Sequence, residues 1–441
     1  MKFPSIIHAS SVWATIAFQG AAQTNDSTTT DDNPTWPLSN DSEFSFQILA
    51  PLGLSIYGGA DVGPLLGVAK NIEAGDMMDF SAQFQALANH TKFQAQAFDD
   101  DPINSRETWF ATATYFRVAD FYLHGNWSNP LIDSLWSEQT TAFNKAIASL
   151  PVPGKRVQLP SHDGSFTVEA IWYAASTDNS TKRPTLIVGN GYDAAQEDSY
   201  HTFCNPAFVR GWNCMTYEGP GQPTVRRNQN IGFIPDWKRV LTPVVDYLLS
   251  DQADVVDEER LALVGFSLGG YFAARAAAFE PRISALLLDS GVWDVHEAFT
   301  GQLPPELIDL YNSGNQSAFD EVVLAARDAG QLPTTVAWGV DQGLWTFHTH
   351  SPYDFLQQTK EYTLKDVVDK IKMPVWIADA EFGSFFYGQA PKVKAALGDR
   401  ADFHLFTGVA GYHCQVGAAQ ELTRTVFAWL NKTLKSSGNC E

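Results

Sequence analysis

Cysteine is scarce in this chain, with four residues in 441: Cys204, Cys214, Cys414 and Cys440. None stands in a C-x-x-C spacing, which argues against a zinc site. In an oxidising compartment the four allow two disulfides. Closeness in sequence favours Cys204–Cys214 and Cys414–Cys440. Positive charge is also short: 29 Lys and Arg against 50 Asp and Glu, for a formal net charge of −21. Such a surface repels phosphate backbones and anionic headgroups, so nucleic acid and acidic membranes are not expected partners. No G-x-x-x-x-G-K-S/T, H-E-x-x-H or helix-entering G-x-G-x-x-G occurs, so neither a metal nor a nucleotide cofactor is expected.

What is present describes a globular chain, 44% apolar and 18% charged. Residues 1–22 read as a signal peptide: Lys2, an apolar stretch without acids, then small residues up to Ala22. That stretch is too short and broken to anchor the mature chain in a bilayer. Seven N-x-S/T sequons, at Asn25, Asn40, Asn89, Asn126, Asn179, Asn315 and Asn431, support entry into the secretory pathway and glycosylation.

Residues 23–42 are polar and aperiodic, a flexible lead-in. Residues 43–150 read as a helical lid region. There "RETWFATATYFRVADFYLHG" repeats apolar residues at helical spacing (Trp109, Ala113, Phe116, Phe121), with Asn104 as its cap and Gly125 as its stop. From 151 to 435 the pattern changes. "KRVQLP" and "FTVEAIWYAA" flank the turn "SHDG" as a hairpin. The runs "PTLIVGN", "WNCMTYEG", "LALVGF", "ISALLLDSG", "PVWIADA" and "ADFHLFTG" then alternate with helical stretches. That alternation predicts an α/β fold: a mostly parallel sheet with helices on both faces, and ligands at the carboxyl ends of its strands. About eighty residues separate the last "LLLDSG" from "MPVWIADA", too many for one crossover, so a cap is predicted at about 295–365. It carries Trp338, Trp345, Phe347, His348, His350 and Tyr353.

The stretch "VGFSLGGYFA", Val264 to Ala273, places a serine between two glycines, after an apolar run and before an alanine-rich one. Strand, sharp turn and helix with Ser267 at the bend is a nucleophile elbow. A serine hydroxyl needs a base. His413, in a Gly-rich loop after the last strand, is where an imidazole could reach it. The N–H of Leu268 is one expected oxyanion donor. Gly191 or Tyr192, in "GNGYDAAQED", supplies the other. For the acid that orients the imidazole, three residues are candidates: Asp379 first, then Glu381, then Asp289.

These stretches, with "EAGDMMDF", "YEGPGQ", "GLWTFHTHSP" and "FFYGQA", resemble the fungal α/β-hydrolases of secondary-metabolite clusters. The resemblance covers roughly residues 70–420. Two branches are similar. One is the 20-hydroxy-prefusarin hydrolase family, with hydrolases of cytochalasan and pseurotin clusters. The other is the heptaketide hydrolases of melanin pathways, which shorten a polyketide by carbon–carbon cleavage. The resemblance implies an α/β-hydrolase fold, a helical lid and a Ser–Asp–His triad, of which Ser267 and His413 carry over. Phe382 or Gly383 stands where the family's aspartate would align. The implied function is a serine hydrolase-like enzyme. It would act on a polyketide–amino acid hybrid by acyl chemistry, or by assisting closure of a pyrrolidinone ring. A secreted esterase or peptidase and a non-catalytic ligand-binding homologue are the alternative readings. The expected partner is a small molecule, and the reading leaves room for a homodimer.

Overall fold

Eight apolar runs become eight strands in the computed structural model, which describes residues 34–97 and 100–434. They are β1 (Lys155–Pro160), β2 (Thr167–Tyr173), β3 (Arg183–Gly189), β4 (Asn213–Glu218), β5 (Val256–Phe266), β6 (Ala285–Asp289), β7 (Val375–Ala380) and β8 (Ala401–Phe406). The order across the sheet is β1-β2-β4-β3-β5-β6-β7-β8. The β1–β2 and β2–β4 pairs are antiparallel, and every later pair is parallel. This is the α/β fold the alternation of strand and helix predicts.

Side chains alternate across each strand, so a sheet buried on both faces needs apolar residues at consecutive positions. In β5, Leu261 and Leu263 join one core cluster, and Ala262 and Val264 join the other. The first face is covered by α8 (Lys238–Ser250), α9 (Gly269–Ala277) and α15 (Gln389–Leu397) through Val244, Phe272 and Val393. The second is covered by α16 (Ala419–Thr433) through Val426, Phe427 and Leu430. The short helices α6 (Asn205–Phe208) and α7 (Pro223–Gln229) follow β3 and β4.

Five helices precede the sheet: α1 (Ser42–Leu54), α2 (Val62–Ala69), α3 (Met77–Ala97), α4 (Pro102–Asp120) and α5 (Leu131–Ala148). The aromatic-rich helix is α4, with two changes at its ends. Asp101, not Asn104, caps it by accepting from the N–H groups of Ile103 and Asn104 at 3.0 and 3.2 Å. Pro102 favours that start, because it has no N–H to satisfy. The helix ends at Asp120, five residues before Gly125, which falls in a separate 3₁₀ turn. Trp109 and Ala113 pack into the second core, and Phe116 and Phe121 into the first.

Between β6 and β7 the chain forms five helices: α10 (Val295–Thr300), α11 (Pro305–Asn312), α12 (Gln316–Asp328), α13 (Thr334–Thr346) and α14 (Pro352–Thr359). They cover the carboxyl ends of the strands together with α1 and α4. Hydrogen bonds join the two groups: the Thr335 hydroxyl donates to Glu43 at 2.7 Å, and the Thr334 hydroxyl to Asp41. No helix among the described residues is long and apolar enough to cross a membrane. Cys204 and Cys214 form a disulfide that ties the turn before α6 to β4. Cys414 carries a free thiol, and its expected partner Cys440 lies outside the described residues. The expected signal peptide, most of the lead-in and Asn25 also lie outside them. The other six sequon asparagines are exposed.

Candidate active site

The chain runs from β3 to β4 on one side and to β5 on the other, so the sheet has its switch point between β3 and β5. Loops leaving the two strands there diverge and open a crevice. Gly189 of β3 and Gly265 of β5 are register partners, so the loops that follow start side by side. One carries "GNGYDAAQED"; the other is the elbow.

Ser267 sits at the elbow with φ +58°, a left-handed conformation that a non-glycine residue adopts only when held there. Its N–H donates to the Asp289 carbonyl at 2.8 Å, which fixes the bend against β6. The glycines around it are required by space. A Cβ on Gly265 would collide with the Gly269 carbonyl, and one on Gly270 with the Ser290 carbonyl. A Cβ on Gly191 would lie 2.6 Å from the Leu268 nitrogen. The backbone of the β3 loop therefore approaches Leu268 within van der Waals distance. Leu268 is the N-cap of α9, where backbone N–H groups have no partner inside the helix.

Four bonds from side chains outside that loop reach its carbonyls. Gln222, from "YEGPGQ", donates to the Asn190 carbonyl at 2.7 Å and to the Gly191 carbonyl at 3.3 Å. From α4, Arg117 donates to the Asp193 carbonyl at 2.9 Å. From α13, Gln342 donates to the Tyr192 carbonyl at 3.0 Å. The lid and the cap thus both grip the segment expected to supply an oxyanion donor. Sequence reasoning used "YEGPGQ" only as a mark of resemblance; its glutamine position was the available signal for this support.

His413 starts a short turn after β8. Its Nε2 lies 3.0 Å from Ser267 Oγ. The two following residues, Cys414 and Gln415, have φ of +52° and +49°, so the turn is tightly constrained. Burial alone pushes the imidazole pKa down to about 4. The structure brings Ser267 and His413 together and gives none of the three candidate carboxylates a hydrogen bond to the imidazole. Asp379, at the end of β7, accepts from the adjacent Ala380 N–H at 3.0 Å. Glu381 accepts from the Gly408 N–H at 2.8 Å. Asp289 is fully buried, and burial raises its pKa to about 7 while the neighbouring Gln415 side chain acts the other way. Phe385 and Phe386, from the loop after β7, stand 5.1 and 6.0 Å from the imidazole, centroid to centroid. The polar group on Nδ1 is the Ser290 hydroxyl, at 3.4 Å.

Ser267, His413 and Asp289 line a cavity of about 330 Å³. Its walls are mainly apolar and come from the lid, the cap and the β7 loop: Phe46, Phe121, Phe299, Trp338, Phe355 and Phe385. Of the cap aromatics marked in the sequence, Trp338 faces this cavity. Trp345 instead stacks on His124, and His348 and His350 pack against Trp127. One charged cluster shares the wall. Arg117 lies 3.2 Å from Asp198 and 3.9 Å from Asp193, and burial raises the Asp193 pKa to about 6. No group of three or more His, Cys, Asp or Glu among the described residues could hold a metal ion.

Residues 84–305, from α3 through the elbow into the cap, match the model of the esterase FrsA-like family. The chain belongs to that family. This FrsA-like enzyme has an α/β-hydrolase fold, and its relatives carry hydrolase names. It is 29% identical over 413 residues to the hydrolase LUC6 of a Fusarium species, covering 88% of this chain and 96% of that one. Its similarity to the 20-hydroxy-prefusarin hydrolase FUS2 of Gibberella moniliformis has the same extent, 29% over 413 residues with 88% and 96% coverage. The expected resemblance to fungal α/β-hydrolases is met. Among solved structures, the 2,6-dihydroxy-pseudo-oxynicotine hydrolase superposes with a TM-score of 0.66 at 19% identity, over 87% of this chain and 95% of that one. The likeness in that case is one of fold.

Proposed function

We propose that this enzyme acts in fungal secondary metabolism on a polyketide–amino acid hybrid intermediate. The reaction is serine acyl chemistry or closure of a pyrrolidinone ring. The observation that carries the reading is the 3.0 Å contact between Ser267 and His413 on the floor of a largely apolar, lidded cavity. Apolar walls suit a reduced carbon chain, and a few convergent polar groups suit its carbonyls.

In the acyl route, Ser267 Oγ attacks a substrate carbonyl while His413 Nε2 takes its proton. Leu268 N–H and the N–H of Gly191 or Tyr192 receive the developing oxyanion. In the ring-closing route, the same Nε2 removes a proton from the carbon between two carbonyls. The same donors hold the enolate, whose carbon attacks a second carbonyl of the same substrate; the new alkoxide takes the proton back from Nε2, water leaves as the ring dehydrates, and Ser267 forms no bond to substrate. The lack of a carboxylate on His413 weakens the base in both routes, because its cation is poorly stabilised whichever proton it takes.

A fluorophosphonate probe on the purified full chain tests the serine. Adduct at Ser267, lost in Ser267→Ala and His413→Ala, supports the armed nucleophile. The absence of adduct on folded protein removes the acyl route. Deleting the gene should accumulate an unprocessed or uncyclised intermediate; an unchanged metabolite profile would sink the biosynthetic reading. Six exposed sequons and a Cys204–Cys214 bond further support a secretory location, which a glycosidase-induced mass shift of the native protein would check.

A further inference from the structure

We propose that Ser290 is the positioning residue of His413, a hydroxyl standing in the place where such sites hold a carboxylate. The inference deepens the hydrolase-fold reading above and rests on it for its catalytic meaning. Three observations support it. Ser290 Oγ lies 3.4 Å from His413 Nδ1, on the side of the ring opposite Ser267. Ser290 has φ +90°, a backbone conformation that costs energy for any residue with a Cβ and persists where surroundings impose it. Those surroundings are visible. The Ser290 carbonyl lies so close to α9 that a Cβ on Gly270 would collide with it, and the Asp289 carbonyl beside it receives the Ser267 N–H. The strained serine is therefore locked to the same bend that holds the nucleophile.

The chemical consequence concerns which ring nitrogen carries the proton. Ser290 Oγ accepting from Nδ1–H leaves the lone pair on Nε2, facing the Ser267 hydroxyl. When Nε2 takes the serine proton, the imidazolium keeps its Nδ1–H on a neutral oxygen, with no negative charge to stabilise it. The other groups around the ring do not supply that charge. From β6, Asp289 is buried, with its pKa raised. From β7 and its loop, Asp379 and Glu381 bond to backbone N–H groups, and Phe385 and Phe386 are apolar. From the turn itself, the Cys414 thiol lies 3.5 Å from Nε2 and is held neutral by burial. A hydroxyl orients the base without raising its basicity, in agreement with an imidazole pKa pushed down to about 4.

The test reads the ring directly, in full-length protein carrying ¹⁵N-histidine, with the His413 signals assigned by their loss in His413→Gln. The expected wild-type state is the Nδ1–H tautomer. Ser290→Ala should give a mixture of tautomers. Ser290→Gly, which relieves the positive φ, should do the same and guards against a folding defect. Ser290→Asp should raise the titration midpoint by about two units. Fluorophosphonate labelling of Ser267 should slow about tenfold or more in the Ala and Gly variants and recover in Ser290→Asn, whose amide oxygen can accept from Nδ1–H and whose backbone tolerates the positive φ. Identical tautomer and midpoint in wild type, Ser290→Gly and Ser290→Asp would overturn the assignment. Ser290-dependent ring chemistry without labelling of Ser267 in any variant would support the assignment and overturn the acyl route.

Discussion

The ring of Phe385 packs edge-on against the imidazole of His413, with centroids 5.1 Å apart. An aromatic neighbour excludes water from the base and offers its cation little stabilisation. His413 should therefore remain a free base down to about pH 4, where an ordinary histidine would be protonated below about 6.5. The acid limb of the labelling or turnover rate against pH should fall near 4 to 5. Phe385→Asp should shift that limb upward by about one unit or more. A wild-type limb at about 6.5 would contradict a buried imidazole with no carboxylate bonded to it.

Gly191→Ala should disable chemistry and force the backbone of the β3 loop and the elbow apart, at some cost in stability. The added methyl would sit 2.6 Å from the Leu268 nitrogen, in the space where an oxyanion must approach its donors. Loss of one such donor typically costs about a hundredfold or more in kcat. Kinetics beside a melting curve would check it; a rate within threefold of wild type would mean that the oxyanion is held elsewhere.

Asp289→Asn should change how stability depends on pH. The native carboxyl holds its proton up to about pH 7, whereas the unfolded one releases it near 4. Between those values the folded state binds more protons, so wild-type stability falls as pH rises through that window. The Asn variant lacks this loss and should gain on wild type between pH 4 and 8, by at most about 4 kcal/mol. His413 and His201, both lowered to about 4 by burial, give an opposite slope that is common to the two proteins and cancels in the comparison. Parallel curves of unfolding free energy against pH would refute the raised pKa.

Reducing the Cys204–Cys214 bond, or replacing Cys214 with Ser, should cost about 2–3 kcal/mol, as expected for closing a loop of this short separation. Thermal unfolding with and without reductant reads it directly.

Much of this architecture is legible in the sequence, because strands buried on both faces must be continuous apolar runs. "LALVGF" and "ALLLD" are such runs, and the elbow follows from a local spacing around Ser267. The pairing of His413 with Ser267 is legible too, since a loop just past the last strand can carry a histidine to the elbow. Asn104 and Asp101 are both good caps, and Pro102, a start signal that the sequence carries, marks Asp101 as the one used. What is not legible is relational. Asp379, Glu381 and Asp289 all sit at strand ends, and no local pattern shows which way each carboxylate turns. Ser290 has no signature at all: its hydroxyl matters because of a φ of +90° and a histidine 123 positions away.

The hydroxyls of Thr334 and Thr335 on Asp41 and Glu43 fasten together pieces of chain almost 300 residues apart. The roof of the cavity is thus a clasp with two jaws, one from before the first strand and one inserted between β6 and β7. Its catch is a pair of neutral donors on two acidic acceptors. Moving the α13 jaw by mutation would loosen the catch and, through Gln342, also the hold on the Tyr192 carbonyl next to the elbow. The roof over the cavity and the loop on its floor are thus coupled through one helix.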